Sequence, residues 1–552
     1  MQNPWLSNYD DGVPATVDIN EYQNIPDLLD ISFKKYRDKP AFHCMGKSYT
    51  YGEMDILSRK FASYLQNDLK LNQGDRVAIM MPNILQYPIC LFGILRAGMI
   101  AVNVNPLYTA RELEHQLNDS GAKAIIIFEN SCHTLAEVLE KTQIEKVLTT
   151  QIGDFLAFPK SLLVNFVIKK VKKMVPAWSI AGSSSFKEIL FKSVEDNFKP
   201  VTIDREDTAF LQYTGGTTGV SKGAELTHSN IVSNMLQARA WLNNKVREGE
   251  EIIITPLPLY HIFSLTANCF IFFSLGGLNV LITNPRDMPG FVKELSKWKF
   301  TSFTGVNTLF NGLVNTPGFD QVDFSALRLT LGGGMAVQRA VADKWKAVTK
   351  CTLIEAYGLT ETSPAACINP MTLPDYNGNI GLPISSTEVV IKDDDGKNLA
   401  VGEVGEIAIK GPQVMKGYWN RPDETAKVMT DDGYFVTGDI GIMDEQGYFK
   451  IVDRKKDMIL VSGFNVFPNE VEEVLVTHPK VFEAAAIGIP DEKSGEAVKA
   501  FVVKKDDSLT ADELKAFCRE NLTGYKVPRH FEFREDLPKS NVGKILRKEL
   551  RS

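Results

Sequence analysis

TAFLQYTGGTTGVSKGA, residues 208–224, joins two kinds of text in one short stretch. TAFLQY, at 208–213, is β-branched, aromatic and apolar, the composition of a buried strand. Residues 213–224 then hold four glycines, three threonines, one serine and one lysine. Gly215, Gly216, Gly219 and Gly223 let the backbone turn tightly and approach a ligand. Thr214, Thr217, Thr218 and Ser221 supply hydroxyls, Lys222 a mobile positive charge, and Tyr213, Val220 and Ala224 complete the stretch. Together they suit a polyphosphate; a flexible surface loop is the other reading. The spacing is not that of a Walker loop. After Ala224 the pattern reads as helical, with Thr227 as the cap.

Outward from this loop, the 552 residues carry 44% hydrophobic and 23% charged side chains, which points to a soluble chain of several domains. A formal charge of -7 offers no basic footprint, so nucleic acid is not an expected partner. Cys44, Cys90, Cys132, Cys269, Cys351, Cys367 and Cys518 are scattered without zinc or redox spacing and fit a reducing cytosol. The polar, acidic opening MQNPWLSNYDDG lacks a secretory pattern. Residues 252–286 are apolar enough to imitate a membrane span, but Ser264, Asn268, Ser274, Asn279 and the Gly276-Gly277 pair interrupt them. A buried helix followed by a strand is the expected form.

Capping boxes at Thr50/Glu53 and Thr109/Glu112 open helices that alternate with the apolar runs RVAIMM and AKAIII. EIIIT, LNVLIT, TSFTG, LRLTLGG and CTLIEAYG continue the alternation. This βα text predicts an α/β fold: a large N-terminal domain, 1–452, with two mainly parallel sheets. Short β runs separated by DDDG, DDG and EQG make 384–452 a small β subdomain within it. A hinge at 453–456 and a compact, mobile α+β C-terminal domain, 457–552, complete the expected architecture. One insert stands apart: in PKSLLVNFVIKKVKKMVP, Val164, Val167, Ile168, Val171, Met174 and Val175 form one helical face, and Lys169, Lys172 and Lys173 another. Such a helix can rest on an anionic membrane through about 160–175, or pack its stripe on the protein with a solvated lysine face.

Downstream motifs decide the loop's meaning: LGGGM (331–335), EAYGLTETSP (355–364), YFVTGDIG (434–441), GYFKIVDRKKDMILVSGFNVFPNEVE (447–472) and LPKSNVGKILRKEL (537–550). In this order the set resembles the adenylate-forming enzymes, the superfamily of acyl-CoA synthetases, peptide-synthetase adenylation domains and luciferases, over essentially the whole chain. The wording is most similar to bacterial long-chain fatty acid–CoA ligases. The resemblance implies activation of a fatty acid with ATP and Mg2+ to an acyl-adenylate, then thioester formation with CoA. It implies that residues 213–224 close over the β- and γ-phosphates, that Thr214 and Glu361 hold magnesium, and that Thr360 contacts the α-phosphate. Adenine is expected beside Gly332, Gly333 and Gly334 and along Glu355, Ala356, Tyr357 and Gly358, with Asp439 on the ribose and Arg454 beside it. Lys544 corresponds to the catalytic lysine and Lys456 to the hinge about which the C-terminal domain turns. That rotation would bring Ser462, Gly463, Phe464 and Asn465 to the pantetheine passage. His261 resembles the gate between the acyl and CoA passages.

The acyl pocket is expected from 260–275 and 303–311, neither of which carries a basic residue, so a long apolar tail suits it. Two alternatives stand beside this reading. One is a related ligase acting on an aryl or medium-chain acid, or handing its acyl group to a carrier protein. The other is a membrane-associated lipid carrier without chemistry. Location in the cytoplasm follows from the cysteines and the opening segment, and peripheral contact at the inner face of the membrane is the expectation that the basic helix adds. The oligomeric state, a homodimer included, is left open by the sequence.

Overall fold

The computed structural model describes residues 3–214, 221–242, 245–462, 464–491, 494–540 and 543–551. Gly215, Gly216, Thr217, Thr218, Gly219, Val220 and Gly463 therefore lie outside the described residues. The chain is α/β, with two large sheets, a small antiparallel sheet and a C-terminal α+β unit.

The strands that read as continuous apolar runs are the ones buried on both faces: every residue of Ala124–Phe128 and of Ile100–Asn103 is buried. They sit in an eight-stranded sheet whose inner strands run parallel. The second sheet has nine strands among the described residues and is parallel through Ile252–Thr255, Leu278–Leu281, Ser302–Gly305, Leu329–Gly332 and Leu353–Gly358. Parallel pairing needs helical crossovers, and the caps supply their starts. Thr50 accepts the Glu53 N–H at 3.1 Å and Thr109 the Glu112 N–H at 3.4 Å, and both glutamates reach back to the capping residue's N–H. The helix Gln86–Arg96 is buried along its whole length, as a helix between layers must be.

Residues 262–282 are a buried helix followed by a strand: Ile262–Ser264, a π-helical turn Leu265–Phe270, Ile271–Ser274, then Leu278–Leu281. Among the described residues no helix is long and apolar enough to cross a membrane.

The opening stretch differs from its sequence reading in one respect. The chain does not turn helical after Ala224; Lys222–Thr227 is a strand paired antiparallel with Thr208–Thr214, with Tyr213 opposite Gly223 and Thr214 opposite Lys222. The reason is long-range pairing: on its other edge this strand meets Gly417–Tyr418, with Tyr418 opposite Ala224. Helix His228–Trp241 begins only at Thr227, which caps it through the Asn230 N–H at 3.1 Å.

The basic insert also departs from a single long helix. An α-helix, Lys160–Phe166, passes into a π-helical turn, Val167–Val171, leaving Met174 and Val175 beyond it. Val164, Val167 and Ile168 are half-buried, whereas Phe158, Leu162, Leu163, Phe166, Val171 and Met174 are exposed. Lys169 bends inward to the buried Glu129 carboxylate.

The small sheet is Glu388–Lys392, Val404–Lys410, Phe435–Met443 and Phe449–Arg454, all antiparallel. Beyond it the turn at 455–457 leads to the C-terminal sheet, built on the long pair Val481–Asp491 and Gly495–Lys504. Helices Pro468–Thr477 and Ala511–Asn521 bury Val471, Leu475, Leu514 and Cys518 against it.

Candidate active site

A cavity of about 1980 Å³ opens where the carboxyl ends of the parallel strands meet the small sheet and the C-terminal unit. Tyr213, Thr214, Lys222, His261, Gly333, Gly334, Glu355, Ala356, Tyr357, Gly358, Thr360, Glu361, Asp439, Arg454, Lys456 and Lys544 line it. This is the crevice outside the strand ends where open α/β sheets take their ligands. Ser221, Gly223, Ala224 and Gly332 are not among its lining residues. Ser462, Phe464 and Asn465 are elsewhere, with Phe464 exposed and stacked on Tyr525 at 4.9 Å.

Several of the polar groups are fixed by a second contact. The Tyr357 hydroxyl donates to Asp439 Oδ2 at 2.7 Å, and Arg454 Nε lies 3.3 Å from Oδ1 of the same carboxylate. Asp439 and Arg454 are paired residues on neighbouring strands, so the sheet itself sets that contact. Tyr418 donates to Glu361 Oε1 at 2.7 Å. Burial raises the Glu361 carboxyl and the tyrosine hydrogen bond opposes the shift. Glu355 accepts the Val337 N–H at 3.2 Å, and burial pushes its carboxyl up to about 8. His261 caps the helix beginning at Ile262, its Nδ1 accepting the Phe263 N–H at 3.3 Å. Burial first and Lys544 second hold its ring down to about 4, which leaves it a neutral imidazole.

Lys544 reaches this cavity from the far end of the chain. Its N–H donates to Ser540 Oγ at 3.1 Å and its carbonyl accepts the Ser540 N–H at 2.7 Å, closing a tight loop. The preceding Gly543 has φ +79, and its carbonyl accepts the Thr308 hydroxyl at 3.0 Å; a Cβ there would meet Thr308 Oγ1 at 2.5 Å. A side chain at 543 would thus push the lysine loop off the large domain. Three residues on, Arg547 forms a fork on Glu472 at 2.9 and 2.8 Å and reaches Asp453 at 3.2 Å. This clasp ties the lysine segment to the strand that enters the turn at 455–457. Burial, then the Arg454 guanidinium, hold the Lys544 ammonium down to about 7. Lys456, exposed in the turn, lines the same cavity. A depressed ammonium group beside an arginine marks a place arranged for anions.

From the charged end an apolar lane runs inward between three walls. Asn234, Ala238 and Leu242 form one stripe of the helix His228–Trp241 and its cap; Phe263, Ala267 and Ile271 form a second; Leu331 and Leu329 follow Gly333 along a strand. Eight helical residues span about 12 Å, and four strand residues about 13 Å, so the walls match in length. The helix stripe was absent from the sequence reading because His228–Ala238 is buried on all sides and carries no amphipathic signal. Tyr418 and Glu424 were also missed: Tyr418 pairs with the strand Lys222–Thr227 and Glu424 meets Lys222 from the helix Pro422–Ala426, both long-range contacts.

Thr214 and Glu361 both line the cavity, offering one hydroxyl and one carboxylate. That hard-oxygen pair fits magnesium, which keeps several waters and binds through one or two carboxylates plus substrate phosphates.

The AMP-binding enzyme family model matches residues 29–419, and the AMP-binding enzyme C-terminal domain model matches residues 470–544. A long-chain-fatty-acid–CoA ligase of Yersinia pestis is 56% identical over 551 residues, covering 100% of this chain and 98% of its own. Among solved structures, an anthranilate CoA ligase in complex with anthranoyl-AMP superposes with a TM-score of 0.86 at 25% identity, covering 97% of this chain and 98% of its own. ATP-bound MatB from Rhodopseudomonas palustris superposes with a TM-score of 0.83 at 27% identity, covering 96% and 98%. Strand-end cavity, terminal lysine and full-length likeness agree, and the chain belongs to the AMP-binding enzyme family, the adenylate-forming enzymes.

Proposed function

We propose that the chain is a long-chain fatty acid–CoA ligase: it joins a fatty acid to AMP, releasing pyrophosphate, and then transfers the acyl group to CoA, releasing AMP. The observation that carries this reading is the continuity of one cavity from Lys544, Arg454 and Asp439 into the apolar lane beside Ala238 and Ala267.

A carboxylate must attack the α-phosphorus of ATP, anion on anion, and the obstacle is charge. Lys544, one of the lining residues, neutralises both partners as the bond forms, and Thr360 supplies a hydroxyl to the α-phosphate. Lys222 reaches the outer phosphates. Asp439 takes the ribose hydroxyls, Tyr357 gives the base a flat face, and Gly333 and Gly334 let the base lie against backbone. Magnesium, held by Glu361 and Thr214 with the phosphates, would supply further charge neutralisation. Neutral His261 borders both the lane and the polar end and suits a gate that passes acyl chains without binding a second carboxylate. Lys544 blocks the approach of a thiol, so the C-terminal unit must turn about Lys456 before CoA arrives. The exposed Ser462, Phe464 and Asn465 are the surface such a turn would bring in.

A panel of fatty and aromatic acids assayed for AMP release with CoA present tests the reading. Long-chain acids are expected to give the highest kcat/KM, and thioester is expected on CoA. Preference for aryl acids, or acyl transfer only to a carrier protein, would replace it with a related ligase. No fatty-acid-dependent ATP/pyrophosphate exchange would leave a lipid carrier.

Peripheral membrane contact is a second element of the proposal, favoured by the exposed Phe158, Leu162, Leu163, Phe166 and Val171 beside Lys170, Lys172 and Lys173. Apolar side chains in the interface and lysines on anionic headgroups act together, each lysine contributing about 1 kcal/mol near the surface. Replacing Lys169, Lys170, Lys172 and Lys173 by glutamine is expected to release the protein from anionic vesicles in sedimentation. Unaltered sedimentation would remove this segment's role.

A further inference from the structure

The segment 415–427 touches three of the groups assigned to the phosphates, and it does so from one side. Gly417–Tyr418 pairs with the strand carrying Lys222, and the Trp419 N–H donates to the Gly223 carbonyl at 2.8 Å. The Tyr418 hydroxyl holds Glu361 at 2.7 Å, and the Met415 N–H donates to the Glu361 carbonyl at 2.8 Å. Arg421 pairs with Asp119, which accepts the Tyr213 hydroxyl at 2.7 Å. From the short helix Pro422–Ala426, Glu424 forms an ion pair with Lys222, whose ammonium also lies 4.9 Å from the Tyr418 ring centroid. The helix is itself tied back, since the Tyr418 N–H donates to Thr425 Oγ1 at 2.9 Å.

Lys222 therefore has a carboxylate partner inside the cavity that ATP must enter, and Glu424 lines that cavity with it. A carboxylate and a phosphate oxygen are alternative acceptors for one ammonium. We propose that Glu424 is a positioning residue that competes with the triphosphate for Lys222: it holds the ammonium against Tyr418 until a phosphate oxygen takes its place. The proposal rests on the reading that Lys222 contacts phosphate. The exchange conserves charge at the lysine and returns Glu424 to Lys427, its other partner. A half-exposed pair of this kind is weak enough to be displaced, because such ion pairs contribute little net stability in water. The same weakness bounds the effect on nucleotide binding to about two- to fivefold. A tight buried pair would have blocked the site.

The test is steady-state adenylation kinetics of full-length Glu424→Gln and Glu424→Ala, each made also in a Lys222→Ala background. Loss of the competitor is expected to lower KM for ATP about two- to fivefold at low ionic strength, with kcat changing less than KM and KM for the fatty acid following neither. The gain should shrink at high salt and vanish in the Lys222→Ala background. Lys222→Ala by itself is expected to raise KM for ATP. A raised or unchanged KM for ATP in both Glu424 variants would overturn the competition while leaving Lys222 as a phosphate ligand. A gain that persists without Lys222 would overturn it as well. Lys222→Ala with unchanged KM for ATP would overturn the phosphate reading of that lysine, and the proposal with it.

Discussion

Lys544→Ala is expected to lower acyl-adenylate formation by about three orders of magnitude or more while largely sparing thioester formation from preformed adenylate. The size follows from electrostatics: one unit charge about 4 Å from another contributes about 4 kcal/mol at an effective dielectric near 20, and each 1.36 kcal/mol off the barrier is about tenfold in rate. Its selectivity follows from geometry. Lys544 lies inside the cavity with Arg454 and Asp439, on a loop pinned by Thr308 and the Arg547 clasp, so it serves the arrangement seen here and leaves with the C-terminal unit. Pyrophosphate exchange measures the first half-reaction, and CoA consumption from synthetic acyl-adenylate measures the second. Equal loss of both would remove the lysine from its assigned step. The pH dependence gives an independent sign. Burial and Arg454 hold the ammonium down to about 7, so the active, charged form is the low-pH form. kcat/KM for adenylation should be level below about pH 7 and fall as pH rises through it, since that ratio reports the free enzyme. Bound phosphates stabilise the ammonium, so kcat should fall only at higher pH. A kcat/KM that climbs through neutral pH would contradict the role.

Much of the fold was legible because it rests on local signals. The capping boxes at Thr50 and Thr109 start their helices where the sequence places them, and runs such as AKAIII become strands buried on both faces. What failed had a long-range cause. The strand Lys222–Thr227 went unread because its second neighbour, Gly417–Tyr418, lies nearly two hundred residues away. The insert at 160–175 keeps helical spacing in its sequence, yet its backbone widens into a π-turn where Lys169 is drawn to Glu129. The site divides in the same way. Glycines, hydroxyls and charged residues stand out against their surroundings and can be named from motifs. The acyl lane can be named only in part: Phe263, Ala267 and Ile271 lie in the expected 260–275 stretch, whereas Ala238 and Leu329 are ordinary core residues until the helices are placed. The contact of Thr308 with Gly543, across 235 residues, shows why the terminal lysine carries no local mark of its destination.

Lys456→Pro is expected to keep most of the adenylation rate and to depress thioester formation by about tenfold or more, with adenylate accumulating on the enzyme. Lys456 lies in the turn between Phe449–Arg454 and Ile459–Val461, closed by the Asp457 N–H on the Arg454 carbonyl at 2.9 Å and the Met458 N–H on the same carbonyl at 3.2 Å. Its φ is not in the left-handed region, so proline's own φ near −65° is compatible with the turn, and the strain falls on Lys455 before it. Movement to a second orientation is another matter. A turn hinge absorbs a large change of φ and ψ in a few residues, and proline fixes one of these angles and biases Lys455 before it. The polar clasp on the C-terminal side makes the restriction effective: Arg547 with Asp453, Asp457 and Glu472, and Arg551 with Asp457 at 2.9 Å, move the lysine segment and the turn as one body. Freezing the turn therefore leaves Lys544 in the cavity and Ser462, Phe464 and Asn465 outside it. Rapid-quench measurement of acyl-adenylate and acyl-CoA in one turnover distinguishes this from general damage. Damage slows the appearance of adenylate, whereas a frozen hinge leaves its appearance fast and its disappearance slow. Unchanged overall turnover would show that CoA reaches the adenylate without rotation about Lys456. Lys456→Ala separates the backbone from the charge: it removes the ammonium, leaves the turn free, and should retain the second half-reaction that proline loses.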